Sequence, residues 1–359
     1  MAVFAGERGD MSEDVVTEVE GRIGRIRLNR PKAIHALTKD MCSAMIAALV
    51  AWRTDDNVQA VMIDHAEGRG FCAGGDVRML AESGASDGSD ARAFFHEEYR
   101  LNHLLFTYAK PIVAFMDGIT MGGGVGISQP AKYRVATENT RFAMPETAIG
   151  LFPDVGGGWY LSRLSGRAGQ FLALTGARLD GAECHYLGLA THYVPHAALD
   201  EVKERIAEHP DRIEGMLGKA SITPPHAKIA GNLAHINKIF ASDRLEDIFV
   251  ALEKDGSEWA ETELAALRTK SPQACKVSLR ILSDGANMAD FADEMRQEYA
   301  VAAHVVQRPD FAEGVRALLI DKDNSPHWNP ATPEGVTDHM IDTIFAPMPD
   351  GEEWTPLKA

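Results

Sequence analysis

The chain has 359 residues but only four cysteines, Cys42, Cys72, Cys184 and Cys275, and no two stand at a CxxC or metal-ligand spacing. That excludes a disulfide scaffold and points to small buried thiols kept reduced. The thirteen histidines form no HExxH or other paired motif, so no metal site is expected, and His35 and His65 read as structural. No apolar run approaches the ~20 residues that carry a helix across a bilayer. Positive charge is also short: 36 Lys and Arg against 52 Asp and Glu leave a net charge of −16. Nucleic acid and membrane surfaces favour clustered cations, so neither is expected as a partner. A small anionic ligand stays compatible, since a few local cations or backbone N–H groups can hold one. The opening residues, MAVFAGERGDMSEDVV, lack the apolar segment of a secretory signal. They carry Glu7, Asp10, Glu13 and Asp14, unlike an Arg-rich transit peptide, and Met11 is a second candidate start. A cytoplasmic location is the expectation.

What is present is ordinary globular composition, 45% hydrophobic and 25% charged, long enough for one large domain or two. Val15 to Val19 and Ile23 to Leu28 alternate apolar and polar residues across Glu20-Gly21-Arg22, the pattern of a hairpin. Thr38 is placed to cap a helix whose Met41, Met45, Ala48, Leu49 and Trp52 recur at helical spacing. A buried strand follows at Val58 to Ile63, then a Gly-rich loop through Gly75 and a short helix. Residues 83–90, SGASDGSD, read as a mobile loop. Ala91 to Tyr108 reads as helix, Pro111 to Met116 as strand, Gly122 to Gly126 as the entry to a helix, and Tyr133 to Ala136 as strand. This strand–strand–helix recurrence predicts an α/β architecture built on a repeating unit. From about Leu199 the pattern turns to amphipathic helices, among them 245–252, 259–267, 274–282 and 291–305, with an irregular tail from Ser325 containing six prolines. The division expected is 1–198 for a catalytic core and 199–359 for a helical C-terminal region and tail.

Several motifs carry chemistry. Gly84 to Gly88 matches the GxSxG elbow, but no strand precedes Ser86, so a serine nucleophile is set aside. Gly122-Gly123-Gly124 and Gly156-Gly157-Gly158 fit neither GxGxxG nor a P-loop. They mean either tight packing or a backbone that approaches a ligand closely. Gly70-Phe71-Cys72-Ala73-Gly74-Gly75-Asp76 is a further Gly-rich loop that ends at a helix start. Two separate loops, each able to offer one free N–H, are what a two-donor oxyanion hole needs. Met144-Pro145-Glu146-Thr147 and Phe152-Pro153-Asp154-Val155 place two Pro-acid pairs eight residues apart in apolar surroundings. On spacing alone these are either helix starts and caps, or a carboxylate pair whose proton affinities separate for acid–base work.

Together these residues resemble the crotonase (enoyl-CoA hydratase/isomerase) superfamily. The likeness runs through Asn29 to Ala33, Gly70 to Asp76, Gly118 to Gly126 and Pro145-Glu146. In the runs Gly118 to Gly126, Phe142 to Gly158 and Asp310 to Asp323 the detail is similar to the 3-hydroxyisobutyryl-CoA hydrolase branch. The resemblance implies a spiral of repeated ββα units with an α-helical C-terminal region. It also implies an acyl-CoA substrate, no separate cofactor, thioester hydrolysis and a place in valine breakdown. Gly75 and Gly123 would supply the oxyanion N–H groups. Glu146 would be nucleophile or general base, assisted by Asp154, with Glu98 contacting the acyl portion. CoA would lie along the backbone of Lys32-Ala33 and of Ala73 to Val77, which includes Asp76, with Lys32, Arg30 or Arg78 near its phosphates. One departure bears on the reaction: hydratases of this superfamily carry a glutamate three residues past the oxyanion glycine, and here that position is Gly126. A hydratase or isomerase acting with Glu146 alone, and a non-catalytic acyl-CoA-binding protein, are the competing readings. Superfamily members are often trimers or hexamers, so a homo-oligomer is compatible, although the helical C-terminal region could replace those contacts.

Overall fold

The computed structural model describes residues 13–358. The segment behind the readings of the leader and of Met11 lies outside these residues, apart from its last few positions. The chain opens with the expected hairpin, β1 (Val15–Glu20) antiparallel to β2 (Ile23–Leu28). Next come α1 (Lys39–Arg53), β3 (Ala60–His65), β4 (Gly70–Cys72), α2 (Val77–Gly84) and α3 (Ser89–Phe106). Thr38 caps α1 as its sequence predicts, its hydroxyl accepting the Met41 N–H.

Two further strand pairs repeat the theme: β5 (Ile112–Met116) with β6 (Ile119–Met121) before α4 (Gly123–Ser128), then β7 (Tyr133–Ala136) with β8 (Arg141–Ala143). In each unit the first strand joins one sheet and the second joins another. The large sheet runs β1-β2-β3-β5-β7-β10 and the small sheet β4-β6-β8-β9, where β9 is Leu179–Asp180 and β10 is His192–Tyr193. Within the repeat, β3, β5 and β7 pair in parallel, as do β4, β6 and β8. The result is the spiral of ββα units that the sequence implied.

Period-two burial decides the layers. Val61, Ile63, Ile112, Ala114 and Met116 face the main core, whereas Ala60, Met62, Val113 and Phe115 face the other side of the large sheet. That outer side is covered by α8 (Leu199–Glu208) and α9 (Ile213–Ala220), through Val202, Ile206, Ile213 and Leu217. A parallel sheet buried on both faces explains why these strands read as nearly continuous apolar runs. Between the repeat and these helices lie α5 (Gly157–Ser162), α6 (Ala168–Thr175) and α7 (Gly181–Tyr186).

The C-terminal half adds α10 (Leu233–Ile239), α11 (Leu245–Asp255), α12 (Glu258–Arg268), α13 (Pro272–Gly285), α14 (Phe291–Val305) and α15 (Pro309–Val315). Helix α13 packs on α5 and α6, and α14 packs on α3. Two expectations need correction. Residues 83–90 are half helical: Ser83 and Gly84 end α2, the connection is 85–88, and Ser89 and Asp90 open α3. The Ser83 hydroxyl accepting the Ala91 N–H and the Asp87 carboxylate accepting the Ser89 N–H tie the two helices together. The tail is also less irregular than its prolines suggest, because Thr337 caps a final helix, α16 (Asp338–Ile344). Beyond it, Trp354 is fully buried against α3, donating its indole N–H to the His96 carbonyl. No helix among the described residues is long and apolar enough to cross a membrane.

Candidate active site

Parallel pairing of β4 with β6 sets the loops that follow them side by side. The first loop is anchored to the chain before α1: Leu37 N–H donates to Gly74 O at 2.7 Å, and Asp76 N–H donates to Leu37 O at 3.1 Å. The Gly75 N–H between them has no acceptor among the described residues. Gly123 opens α4, where the first N–H groups lie beyond the helical ladder, and its N–H is likewise unengaged. A β-carbon built on Gly74 would stand 3.8 Å from Gly123 N, and Gly74 and Gly122 both have positive φ, +118° and +48°. Only glycine turns so tightly there.

Both loops border a cavity of about 310 Å³. Ala73, Gly75, Val77, Glu98, Gly123, Glu146 and Asp154, all singled out from sequence, line it. Lys32, Ala33 and Asp76 do not. Lys32 is exposed on the 3-10 turn Pro31–Ala33, beside the loop, and Asp76 pairs with Arg30 at 3.1 Å. Arg30 is thus engaged with a carboxylate, and Arg78 donates to the Leu319 carbonyl at 2.8 Å.

Glu146 opens a 3-10 turn, Glu146–Ile149, immediately after Pro145. The helix-start reading is what the backbone shows, and the proline-led turn is what aims the carboxylate at the cavity. Asp154 does not cap the next helix with its side chain. Gly156 takes the cap position of α5, and Asp154 Oδ2 instead accepts the Tyr99 hydroxyl at 2.7 Å. The glutamates flank the second loop. A β-carbon on Gly122 would lie 3.3 Å from Glu146 Oε1, and one on Gly123 would lie 2.6 Å from Glu98 Oε1. Glu146 Oε2 and Glu98 Oε1 are buried without a hydrogen-bond partner.

Burial governs the protonation of all three acids. It pushes Glu146 well up, with the nearby Asp154 charge adding to it. Glu98 is raised by burial first and then by Asp154 and Glu146. Asp154 rises only to about 6, because the Tyr99 hydroxyl favours its anion. Asp154 is therefore the first of the three to ionise as pH rises, and its charge favours the protonated form of both glutamates.

At Gly126 a β-carbon would lie 2.6 Å from Val155 Cβ and 2.7 Å from Asn102 Nδ2. The hydratase glutamate therefore has no room at this position. Ser86 is exposed in the turn between α2 and α3, without a preceding strand. His35 and His65 lie away from the cavity with their rings tilted and 5.4 Å apart, His35 accepting the Arg30 N–H. The run Gly156–Gly158 is not part of this cavity's lining; β-carbons built on Gly156 and Gly158 would meet Phe291 at 2.8 Å and Ile281 at 2.6 Å, which is the packing reading.

Sequence reasoning missed Tyr99, Leu318 and Leu319. The two leucines close the cavity from a π-turn, Arg316–Ile320, more than 160 residues beyond Asp154. Their stretch carried a family likeness but no periodic signal of its place. Tyr99 adjoined Glu98 on α3 yet had no signature of a partner.

A family model described as "Enoyl-CoA hydratase/isomerase" matches residues 23–345. The chain is 43% identical over 348 residues to the mitochondrial 3-hydroxyisobutyryl-CoA hydrolase of Gallus gallus, covering 94% of this chain and 90% of that protein. It is 40% identical over 345 residues to the mitochondrial 3-hydroxyisobutyryl-CoA hydrolase of Homo sapiens, covering 94% and 89%. Among solved structures, a carnitinyl-CoA dehydratase from Mycobacterium thermoresistibile superposes with a TM-score of 0.91 at 41% identity, covering 96% of this chain and 99% of that one. An enoyl-CoA hydratase from Rhodobacter sphaeroides gives 0.88 at 37%, covering 95% and 99%. The cytoplasmic location expected from the first residues is overturned by the two animal relatives, whose names place them in mitochondria. With the match spanning nearly every element described above, this chain belongs to the enoyl-CoA hydratase/isomerase family.

Proposed function

We propose that the protein hydrolyses 3-hydroxyisobutyryl-CoA to 3-hydroxyisobutyrate and CoA, the reaction for which the similar animal proteins are named. Its place would be valine breakdown. The observation that carries this reading is the pairing of two free glycine N–H groups with two buried carboxyls of unequal proton affinity on one cavity.

In this reading the thioester oxygen rests between the Gly75 and Gly123 N–H groups, which meet the negative charge that grows as the carbonyl is attacked. One such donor contributes about 3 kcal/mol in comparable sites. Glu146 loses its proton toward the ionised Asp154, and its oxygen bonds to the carbonyl carbon. The C–S bond breaks as an acyl-glutamate anhydride forms, and Asp154 returns the proton to the departing sulfur. Water then adds to the anhydride, giving up a proton to Asp154, and frees the hydroxy acid. Glu98, kept neutral by burial, offers an O–H to the 3-hydroxyl of the acyl group. CoA is part of the substrate and the steps call for no further cofactor.

A second reading, hydration of an enoyl-CoA, is favoured by the names of the two solved structures. It needs a carboxylate where Gly126 is packed against Val155 and Asn102. Free-thiol release from 3-hydroxyisobutyryl-CoA, with crotonyl-CoA absorbance followed in parallel, separates the two. Release that Glu146→Gln lowers by about 10³-fold supports hydrolysis. Loss of crotonyl-CoA absorbance with no thiol release would establish the hydratase reading instead.

A further inference from the structure

The glycine run Gly156–Gly158 sits against a second buried acidic cluster that takes no part in the chemistry above. Helix α14 presents Glu294 and Glu298 one turn apart, both 0% exposed. Glu298 accepts the Gly156 N–H at 2.8 Å with one oxygen and the Gly158 N–H at 3.2 Å with the other. Glu294 fills the space beside them: a β-carbon on Gly158 would stand 2.0 Å from its Oε1, and one on Gly285 would stand 2.9 Å from its Oε2. Neither Glu294 oxygen has a well-formed protein hydrogen bond; its neighbours are the Glu298 carboxyl and the Trp159 backbone.

The segment held in this way starts at Asp154. Val155, between Asp154 and Gly156, has φ +56°. A β-branched residue in the left-handed region is strained and persists only where its surroundings hold it. The two hydrogen bonds from Glu298 fasten the chain directly after that residue. Two facing carboxyls with no cation between them ionise one after the other, and the second holds its proton to higher pH. The other groups facing it are Asp154, and Tyr99 from α3; Tyr160 and Arg163 from α5; and Asp284 from α13. Arg163 is the cation among them, and its guanidinium is committed to the Trp159 ring and the Gly285 carbonyl.

We propose that Glu298 is a positioning residue for Asp154, clamping the strained Asp154–Gly158 turn, and that the proton it shares with Glu294 keeps the clamp closed. The inference rests on the role given to Asp154 above. Burial raises both carboxyls, and the charge of Glu294 raises Glu298 further. While the pair keeps a proton the clamp holds. Once rising pH removes the last one, two anions repel beside Gly156, and the turn loosens.

The test is kcat and KM for 3-hydroxyisobutyryl-CoA from pH 6 to 9, in wild type, Glu298→Gln, Glu294→Gln and Asp154→Asn. Glutamine at 298 keeps one acceptor oxygen in place of two. It is expected to lower kcat roughly ten- to hundredfold, as a misplaced catalytic group does, with KM within about twofold. Glutamine at 294 still donates to Glu298 but has no proton to lose, so the alkaline fall in kcat expected of wild type should flatten. A mere packing role would move stability and leave the shape of that profile alone. A Glu294→Gln profile superimposable on wild type, or a folded Glu298→Gln enzyme with wild-type kcat, overturns the proposal. Should Glu298→Gln fail to fold, judged by its near-ultraviolet circular dichroism, the Glu294→Gln profile decides alone. Asp154→Asn isolates the underlying chemistry: full activity there removes the role of Asp154 itself, whatever the clamp does.

Discussion

Tyr99 on α3 donates its hydroxyl hydrogen to Asp154 Oδ2 across 2.7 Å, joining the helix that carries Glu98 to the turn that precedes α5. This bond separates the proton affinities of the cavity acids. Glu146 and Asp154 are both buried, yet only Asp154 has a side-chain donor that favours its anion.

Tyr99→Phe removes that donor while keeping the ring. Asp154 should then rise above about 6, since only a backbone hydrogen bond is left to oppose burial. A hydrogen bond to a charged group is worth about 1.5 kcal/mol, which is about one pH unit. The proposed proton transfer needs Asp154 ionised, so activity is lost as pH falls through its pKa. The acid limb of kcat/KM is therefore expected to move upward by about one unit in Tyr99→Phe, with the plateau at higher pH largely kept. A limb that stays in place would assign the titration to another group.

Gly126→Glu tests whether packing at this position bars hydratase chemistry. Restoring the glutamate of the hydratase pattern restores no activity if the position has no space. The new β-carbon would meet Val155 Cβ at 2.6 Å and Asn102 Nδ2 at 2.7 Å, inside a helix that is buried throughout. Overpacking of this kind costs about 1–3 kcal/mol before the buried charge is counted. A sharply lower thermal midpoint and no hydration of crotonyl-CoA are expected. Hydration by a stable variant would show that the turn at Val155 can move aside.

Much of this was legible in the sequence where the signal is local. The hairpin, the Thr38 cap and the strand–strand–helix repeat follow from periodicity and turn residues. The Gly-rich loops were legible as possible N–H donors, but the choice of Gly75, Gly123 and Glu146 came from the family resemblance, because spacing alone left packing glycines and a helix start open. Asp154 was legible as an acid in an apolar run, although its bond to Tyr99 spans 55 residues and leaves no trace in spacing. Long-range packing hid the rest. Leu318 and Leu319 reach the cavity from the far end of the chain, and Glu298 reads as one acid among several on an amphipathic helix. The run 83–90 misled for the opposite reason: small polar residues can end one helix and open the next as readily as they form a loop.

Leu319→Ala probes acyl selectivity. The π-turn that carries Leu319 is held by Arg316, which pairs with Glu313, Asp321 and Asp323, and by the Arg78 bond to the Leu319 carbonyl. Backbone contacts survive the substitution, so the turn should stay in place while the cavity widens. A pocket discriminates by roughly tenfold or more per methylene. The ratio of kcat/KM for a longer acyl-CoA to that for 3-hydroxyisobutyryl-CoA is expected to rise about tenfold. An unchanged ratio would place the acyl group elsewhere on the cavity wall.

Trp354→Ala asks whether the tail supports the site from behind. Trp354 is fully buried, its ring lies edge-on to His103 at 5.7 Å, and its N–H donates to the His96 carbonyl. Arg100 extends the contact by donating to the Thr355 carbonyl at 2.9 Å. All three partners belong to α3, and they bracket Glu98 and Tyr99 along it. Truncating a buried tryptophan costs about 3–5 kcal/mol, so a fall in the denaturation midpoint is expected first. If the tail also holds the register of α3 against the cavity, KM for 3-hydroxyisobutyryl-CoA should rise at temperatures where the variant is still folded. A variant that is less stable but kinetically unchanged would confine the tail to a structural role, leaving α14 as the element that fixes α3.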